Sequence, residues 1–481
     1  MKSLFMRCGR LAAVILLSVL CLCLSGCGTA DAGRSRNTAD TAESASEDAT
    51  VRAWYAAQKQ RIDTDLQTIA EEKEHPCVYV TTQEGRPVNS TEEYVPAMVD
   101  VFNCAEEYRL TAPGGIRVRG NSADVSDEKP YRIKFEQKQK MLGLHDGRAY
   151  KSWVLLRSYW NLAPDYMALH LAKTVFGGEY YSSDCVFVNL YLNGEPQGIY
   201  VLCEQNQAAK DRIDITEPEQ GDGRTNVGYL LEMDNHVSEE DVYFTIPEMP
   251  EVTDLAGTAR VLPARDYTVK SDLWSEEQEE YIRQYTQSVF TVLYEAAVHD
   301  KPMMLDAENR AVPADGVYAT GFEAVCAVLD PDSLADMIIV EELVQNYDVG
   351  SGNCYMAVDF SQDSRYPRLT FLAPWDFNWA YYEDPDAGYY ASVFQKVMME
   401  VDRSNIWYIL AMKMEDFRQI VKEKWRALSQ SGALSGTVDE VLRDCRSLEG
   451  DLGEDAGKIK KAENIGDYVR ARILWLDRQW K

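Results

Sequence analysis

The chain has 481 residues, with 49 basic against 78 acidic side chains and a formal net charge of −29. A surface this acidic repels nucleic acid and anionic membrane faces, so neither is expected as a partner. Basic proteins and cationic ligands stay open, beside the plainer reading that the charge keeps an exported protein soluble.

The chain begins MKSLFMRCGRLAAVILLSVLCLCLSGCG, with Lys2, Arg7 and Arg10 ahead of the apolar run Leu11–Leu24 and a small-residue site at Gly26-Cys27. This order reads as a secretory signal, too short and wrongly flanked for a stable spanning helix. Its ending, L-S-G-C, resembles a bacterial lipobox, in which residues 1–26 are removed and Cys27 becomes the lipidated first residue. Removal takes the net charge from −29 to −32, because the leader holds three basic residues and no acidic one. No later stretch is long and apolar enough to span a bilayer. The expected location is therefore the extracytoplasmic side of a bacterial cell membrane, held by the lipid anchor only.

Residues 27–50 are rich in Ala, Ser, Thr, Asp and Glu and read as a disordered tether. Val51–Glu74 has helical character and opens a segment, 51–110, expected to hold that helix and the first strands. The runs CVYVTT near residue 77, GIRVRG (115–120), YRIKF (131–135), CVFVNLYLNGEPQGIYVLCEQ (185–205) and GYLLEMD (228–234) alternate as strands, and Asn193-Gly194 marks a tight hairpin. A helix over Asp165–Phe176 interrupts them and ends at Gly177-Gly178. Residues 111–270 thus form a strand-rich part. Residues 271–481 are mostly helical: Ser275–Asp300 opens with a capping-box pattern, S-E-E-Q. Asp330–Asn346 carries Leu334, Met337, Ile338, Leu343 and Val344 on one stripe, and two or more helices fill Met398–Lys481. The fold class is α+β, a strand-rich lobe followed by a helical lobe with a ligand cleft between them.

Seven cysteines follow Cys27, widely scattered and without a C-x₂-C pair, so a zinc site is not expected. Some are able to pair outside the membrane, while those in apolar runs, such as Cys185 and Cys203, read as small buried thiols. Five histidines without H-x-x-x-H spacing, and no G-x-S-x-G before a helix, leave zinc and serine hydrolases unsupported. Glu341-Glu342 are adjacent on a helix and point apart, so they cannot flank a glycosidic bond; one of them is expected to brace the neighbouring loop.

The informative stretch is Glu341–Trp379. Asp348 follows an apolar helix, Asn353 lies five residues on in a Gly-rich loop, and Asp376 follows the strand-like RLTFLAP. Protein kinases space a catalytic base and two metal ligands in this way, since phosphoryl transfer needs a carboxylate for the hydroxyl proton and hard oxygens for the metal. The aromatics Trp375, Phe377, Trp379, Tyr381 and Tyr382 around it read as core packing below a site, with a sugar platform as the other reading.

IRVRGNS with KPYRIKF and MLGL, then KSWVLL, VNLYLNGEPQGIYVLCEQ with DRIDI, GYLLEMD, DPDSLADMIIVEELVQNYD and FLAPWDFNWAYYED together resemble the spore-coat protein H (CotH) kinase family, in its order, over roughly Arg117–Asp384. The resemblance implies an atypical two-lobe protein-kinase-like fold that uses ATP with Mg²⁺ or Mn²⁺ and phosphorylates Ser or Thr on proteins. It implies Asp348 as the catalytic aspartate and Asp376 as the metal aspartate, with Asn353 as a second metal ligand by kinase analogy. Lys134 and Arg119 would face the phosphates, and Glu204 would pair Lys134 or line the adenine pocket. Two departures stand out. The family's W-D-x-D is W-D-F-N here, ending in Asn378, and the segment after KSWVLL has Asp165 but Met167-Ala168-Leu169 where basic and amide groups are usual. A binding or adhesion protein that keeps the fold without the chemistry is the alternative these departures imply.

Overall fold

A computed structural model of the chain describes residues 40–120, 129–157, 161–237, 240, 242–397 and 401–481, with side chains from residue 49 onward. The expected leader and Cys27 lie outside the described residues. A compact unit spans Glu47–Lys481.

Helix α1 (Asp40–Glu72) starts earlier than the expected Val51, inside the stretch read as tether. It presents Val51, Tyr55, Ile62 and Ile69 on one face, which packs on Cys77, Tyr79, Met98, Phe102 and Tyr191. Those partners lie on the outside of a closed seven-stranded barrel. Its strands are β1 (Cys77–Thr82), β2 (Val95–Phe102), β3 (Leu110–Val118), β4 (Tyr131–Lys140), β5 (Ala149–Arg157), β6 (Cys185–Leu192) and β7 (Glu195–Glu204). The order is β1-β2-β3-β4-β5-β7-β6, and β6 closes the ring by pairing parallel to β1.

Period-two alternation explains the barrel's interior. Val78 and Val80, Val99 and Val101, Ile116 and Val118, Tyr131, Ile133 and Phe135 point inward and fill it with Trp153 and Leu155. Their neighbours Cys77 and Tyr79 point out under α1. Gly114 lets β3 and β4 close up, since a Cβ there would stand 2.6 Å from the Lys134 carbonyl oxygen. The hairpin turn between β6 and β7 falls at Asn193-Gly194, both with positive φ, as the sequence leads one to expect.

Helix α2 (Ala163–Phe176) links β5 to β6 and ends on Gly177 in the left-handed region. A second sheet, ordered β16-β15-β8-β12-β9, uses β8 (Gly228–Met233), β9 (Tyr243–Ile246), β12 (Arg265–Val269), β15 (Cys354–Asp359) and β16 (Thr370–Leu372). Two small hairpins flank it, β10 (Met249–Thr253) with β11 (Ala259–Leu262) and β13 (Met303–Leu305) with β14 (Ala311–Pro313). The helices are α3 (Glu276–His299), α4 (Gly321–Val328), α5 (Pro331–Val344), α6 (Ile406–Lys413), α7 (Glu415–Ser431), α8 (Ala433–Ser447) and α9 (Gly457–Trp480).

Ser275 caps α3 by accepting the Gln278 N–H, and Asp330 caps α5. The expected single apolar stripe on α5 is wider than its pattern implies: every residue of the helix except Asp332 is buried. It is the central helix of the larger core. The class is α+β. No helix among the described residues is long and apolar enough to cross a membrane.

Candidate functional site

Strand β16 delivers the chain to Trp375-Asp376-Phe377, and α2 brings Asp165, in its first turn, to the same place. Asp165 Oδ1 accepts the Phe377 main-chain N–H at 2.9 Å. Asp376 itself sits at φ +58, a conformation that turns the chain sharply. Burial, with Asp376 as a neighbouring negative charge, pushes the Asp165 carboxyl up to about 7. Burial also raises Asp376, while Arg119 and Arg157 oppose the rise at both carboxyls. The Arg119 guanidinium lies over the Trp375 ring, 5.0 Å from its centroid. The centre of the site is thus two half-buried carboxyl groups that feel the charge of two arginines.

The Asp348 loop is laced to this centre. Helix α5 ends with Gln345 in the left-handed region, which turns the chain so that Asn346 Nδ2 donates to the Asp376 carbonyl oxygen at 3.2 Å. The Asn346 side-chain oxygen accepts the Asp348 N–H at 3.3 Å. Two backbone bonds parallel the link, Tyr347 N–H to Trp379 O at 3.2 Å and Tyr381 N–H to Val344 O at 2.9 Å. The Asp348 carbonyl accepts the N–H groups of Ser351 and Gly352. Its carboxylate is ion-paired with Arg403, whose guanidinium also covers the Tyr347 ring at 4.7 Å. Asn353 closes the loop at φ +60. No side-chain hydrogen bond of Asn353 to a described residue ties it to Asp376.

The basic residues are arranged differently from the sequence-based expectation. Lys134 is exposed on the outer face of β4 and forms no ion pair among the described residues. The expected pairing of Glu204 with Lys134 is not formed. Glu204 is fully buried and spends Oε1 on Arg212 at 2.8 Å, and Oε2 on His145 at 3.0 Å and on the Asp184 N–H at 3.1 Å. A buried carboxylate takes the guanidinium that is buried beside it. Arg132, two residues before Lys134 on the same outer face, is the more buried cation: burial and the neighbouring Arg117, Arg119 and Arg212 hold it below the usual guanidinium range.

A second ion cluster adjoins Arg119 through Tyr355. Lys270 Nζ lies 3.2 Å from Glu232, 3.1 Å from Asp234 and 2.7 Å from Glu240. Burial pushes Glu232 up to about 7 against the pull of Lys270. Sequence reading passed over Arg132, Arg157, Lys270 and Glu232. The usable signal for the last was the Glu-x-Asp alternation at the end of GYLLEMD, which puts two carboxylates on one face of a strand.

The aromatic cluster divides. Trp375, Phe377 and Tyr381 are core residues, as expected, but Trp379 and Tyr382 are 53 % and 55 % exposed, with ring centroids 5.8 Å apart. Of the two adjacent glutamates, Glu342 is the brace: it pairs with Arg472 at 2.6 Å and accepts the N–H groups of Tyr390 and Ser392, at 2.9 Å each. What it braces is the segment after W-D-F-N rather than the Asp348 loop.

Among the described residues no group of three or more His, Cys, Asp or Glu side chains is gathered to cage a metal. Asp165 and Asp376 instead suit a small hard cation that takes one or two carboxylates and fills its other positions with water and phosphate oxygens. The site thus sets two carboxyl groups and two arginines beside a loop that carries a further aspartate, within an α+β protein. The family model described as CotH kinase protein matches residues 116–441, and the chain belongs to that family. No curated protein matches the sequence.

Proposed function

We propose that this member of the CotH kinase family is a lipid-anchored, extracytoplasmic enzyme that transfers the ATP γ-phosphoryl group to Ser or Thr of a protein, with the barrel and the helical half acting as the two lobes of a kinase-like fold. The observation that carries this reading is the Asn346 bridge, which ties the Asp348 loop to Asp376 in the company of Asp165 and Arg119. Asp376 and Asp165 hold Mg²⁺ or Mn²⁺ in this reading, and Asn353 supplies a further oxygen from the end of the same loop. The cation neutralises the phosphates and orients them. Arg119 and Arg157 face the phosphate oxygens, and Asp348 accepts the proton of the acceptor hydroxyl once the acceptor displaces Arg403. Cys27 carries the lipid.

Two observations favour a second reading. Arg403 already neutralises Asp348, and Asn378 is an exposed amide where the family has a carboxylate. Both suit a surface binding or adhesion protein that keeps the fold without the transfer. Calorimetry of ATP with Mg²⁺ or Mn²⁺, on the wild-type chain and on Asp376→Ala, separates the two. Metal-dependent binding that the substitution abolishes supports the enzyme; a folded protein that binds no nucleotide with either metal supports the binder.

A further inference from the structure

The hairpin of β6 and β7 sets Cys185 directly opposite Cys203. Residues opposed in an antiparallel pair send their side chains to the same face, with Cα atoms about 4.5–5.5 Å apart. A disulfide spans Cα separations of about 4.4–6.8 Å. Both side chains belong to the large core outside the barrel and not to the barrel's interior, so they share one face of the sheet. Both are free thiols, Cys185 6 % and Cys203 0 % exposed. The other cysteines of the barrel are placed less well, since Cys77 opposes Phe102 and leaves Cys104 two residues beyond the pairing.

We propose that Cys185 and Cys203 form a redox-active pair that closes to a disulfide by exchange with a disulfide-class oxidant. One protein thiolate attacks the incoming disulfide, forming a mixed disulfide and releasing one thiol of the oxidant. The second protein thiolate then attacks the mixed disulfide, the Cys185–Cys203 bond forms, and the second oxidant thiol leaves. In sum two protein thiols lose two electrons and two protons, and one oxidant disulfide becomes two thiols. Burial pushes both thiols above the usual range, and Cys203 raises Cys185 further. Exchange therefore takes place while the hairpin is open, during folding or local opening, and is slow in the closed protein. Cross-linking would also fix what lies beside it. Cys185 follows Asp184, which holds Lys173 and the His145 N–H, and Cys203 precedes Glu204 with its Arg212 pair.

The test refolds the full-length chain from denaturant in an oxidised and reduced glutathione mixture, alkylates the remaining thiols, and maps peptides by mass spectrometry without reduction. The expected product is one peptide pair joined through Cys185 and Cys203, two hydrogens lighter than the reduced pair, with a higher Tm than the same sample after reduction. In Cys203→Ala the Cys185 peptide is expected to be alkylated. Alkylation of both residues in the oxidised wild-type sample, or linkage of either to a different cysteine, overturns the proposal. Because the decisive readout is on the wild-type chain, a variant that misfolds does not rescue it.

Discussion

Asp165, on the first turn of α2, accepts the main-chain N–H of Phe377, the residue after Asp376. A helix from within the barrel half thereby fixes the backbone on which the second carboxylate rides, and both acids feel the charge of Arg119 and Arg157. The α2 segment has Met167-Ala168-Leu169 where the resemblance leads one to expect basic and amide groups, yet it still supplies a side chain to the Asp376 turn.

Asp165→Asn keeps an oxygen for the Phe377 N–H but removes a charge from the cation site. Metal-dependent nucleotide affinity is expected to fall roughly tenfold to a hundredfold, the usual effect of altering a group that supports a metal ligand. Calorimetry with Mg²⁺ and Mn²⁺ reads it. Unchanged affinity would remove Asp165 from the site.

Asp348→Asn is expected to lower phosphoryl transfer by about 10²–10⁴-fold, the range of a lost general base, while nucleotide affinity stays within a few-fold of wild type. Single-turnover transfer to an acceptor protein, measured beside binding, tests the split. A parallel loss of binding would show that Asp348 supports the loop and not the chemistry.

Lys134→Ala should leave nucleotide binding at its wild-type value, because the side chain is on the exposed outer face of β4. Arg119→Ala should weaken it about tenfold or more, since charge-assisted bonds to phosphate contribute roughly 1.5–3 kcal/mol each. The reverse order of effects would restore the role that the resemblance gives to Lys134.

Arg472→Met strands Glu342 in the core beside the N–H groups of Tyr390 and Ser392. Both partners of that ion pair are fully buried. Removing one should cost about 3–5 kcal/mol of stability, seen as a lower urea midpoint. A loss below about 1 kcal/mol would mean that the pair is replaceable by packing.

Asp451, in the short helical segment Glu449–Leu452 between α8 and α9, gives a pH dependence with a defined sign. Burial alone would raise its carboxyl, but bonds from Asn189, from the Glu74 and His75 N–H groups and from the His75 ring outweigh it and hold it below the usual range. The unfolded chain therefore binds this proton more readily. The contribution is present above the ordinary aspartate range and is lost as pH falls below about 4 through the folded value. Urea midpoints from pH 6 down to pH 3 should fall more steeply in wild type than in Asp451→Asn. Parallel curves would contradict it.

The strands, the Asn193-Gly194 turn, the α2 stop and both capped helices were legible, because each is written in local alternation or in cap and turn residues. Barrel closure was not, since the parallel pairing of β6 with β1 joins residues over a hundred positions apart and leaves no local mark. The motifs of Asp376 and Asp348 drew attention to two loops that the structure joins through Asn346, a link the spacing did not reveal. The Lys134–Glu204 pairing failed for a physical reason: alternation says which strand residues share a face but not how far along that face the chemistry sits. The buried Arg212 then took Glu204, and Arg132 is the half-buried cation on the face where Lys134 is exposed.

Closure of the barrel leaves the five-stranded sheet as the larger one with open sides, and helices cover its two outer strands. The Phe371 N–H of β16 is held by Ser333 Oγ of α5 at 3.0 Å, and the Thr245 carbonyl of β9 by Gln287 Nε2 of α3 at 2.8 Å. One backbone group on each side that would template an incoming strand is thus engaged. A strand approaching either edge at these positions meets a backbone group already bonded to a helix side chain, so pairing there would first have to displace it.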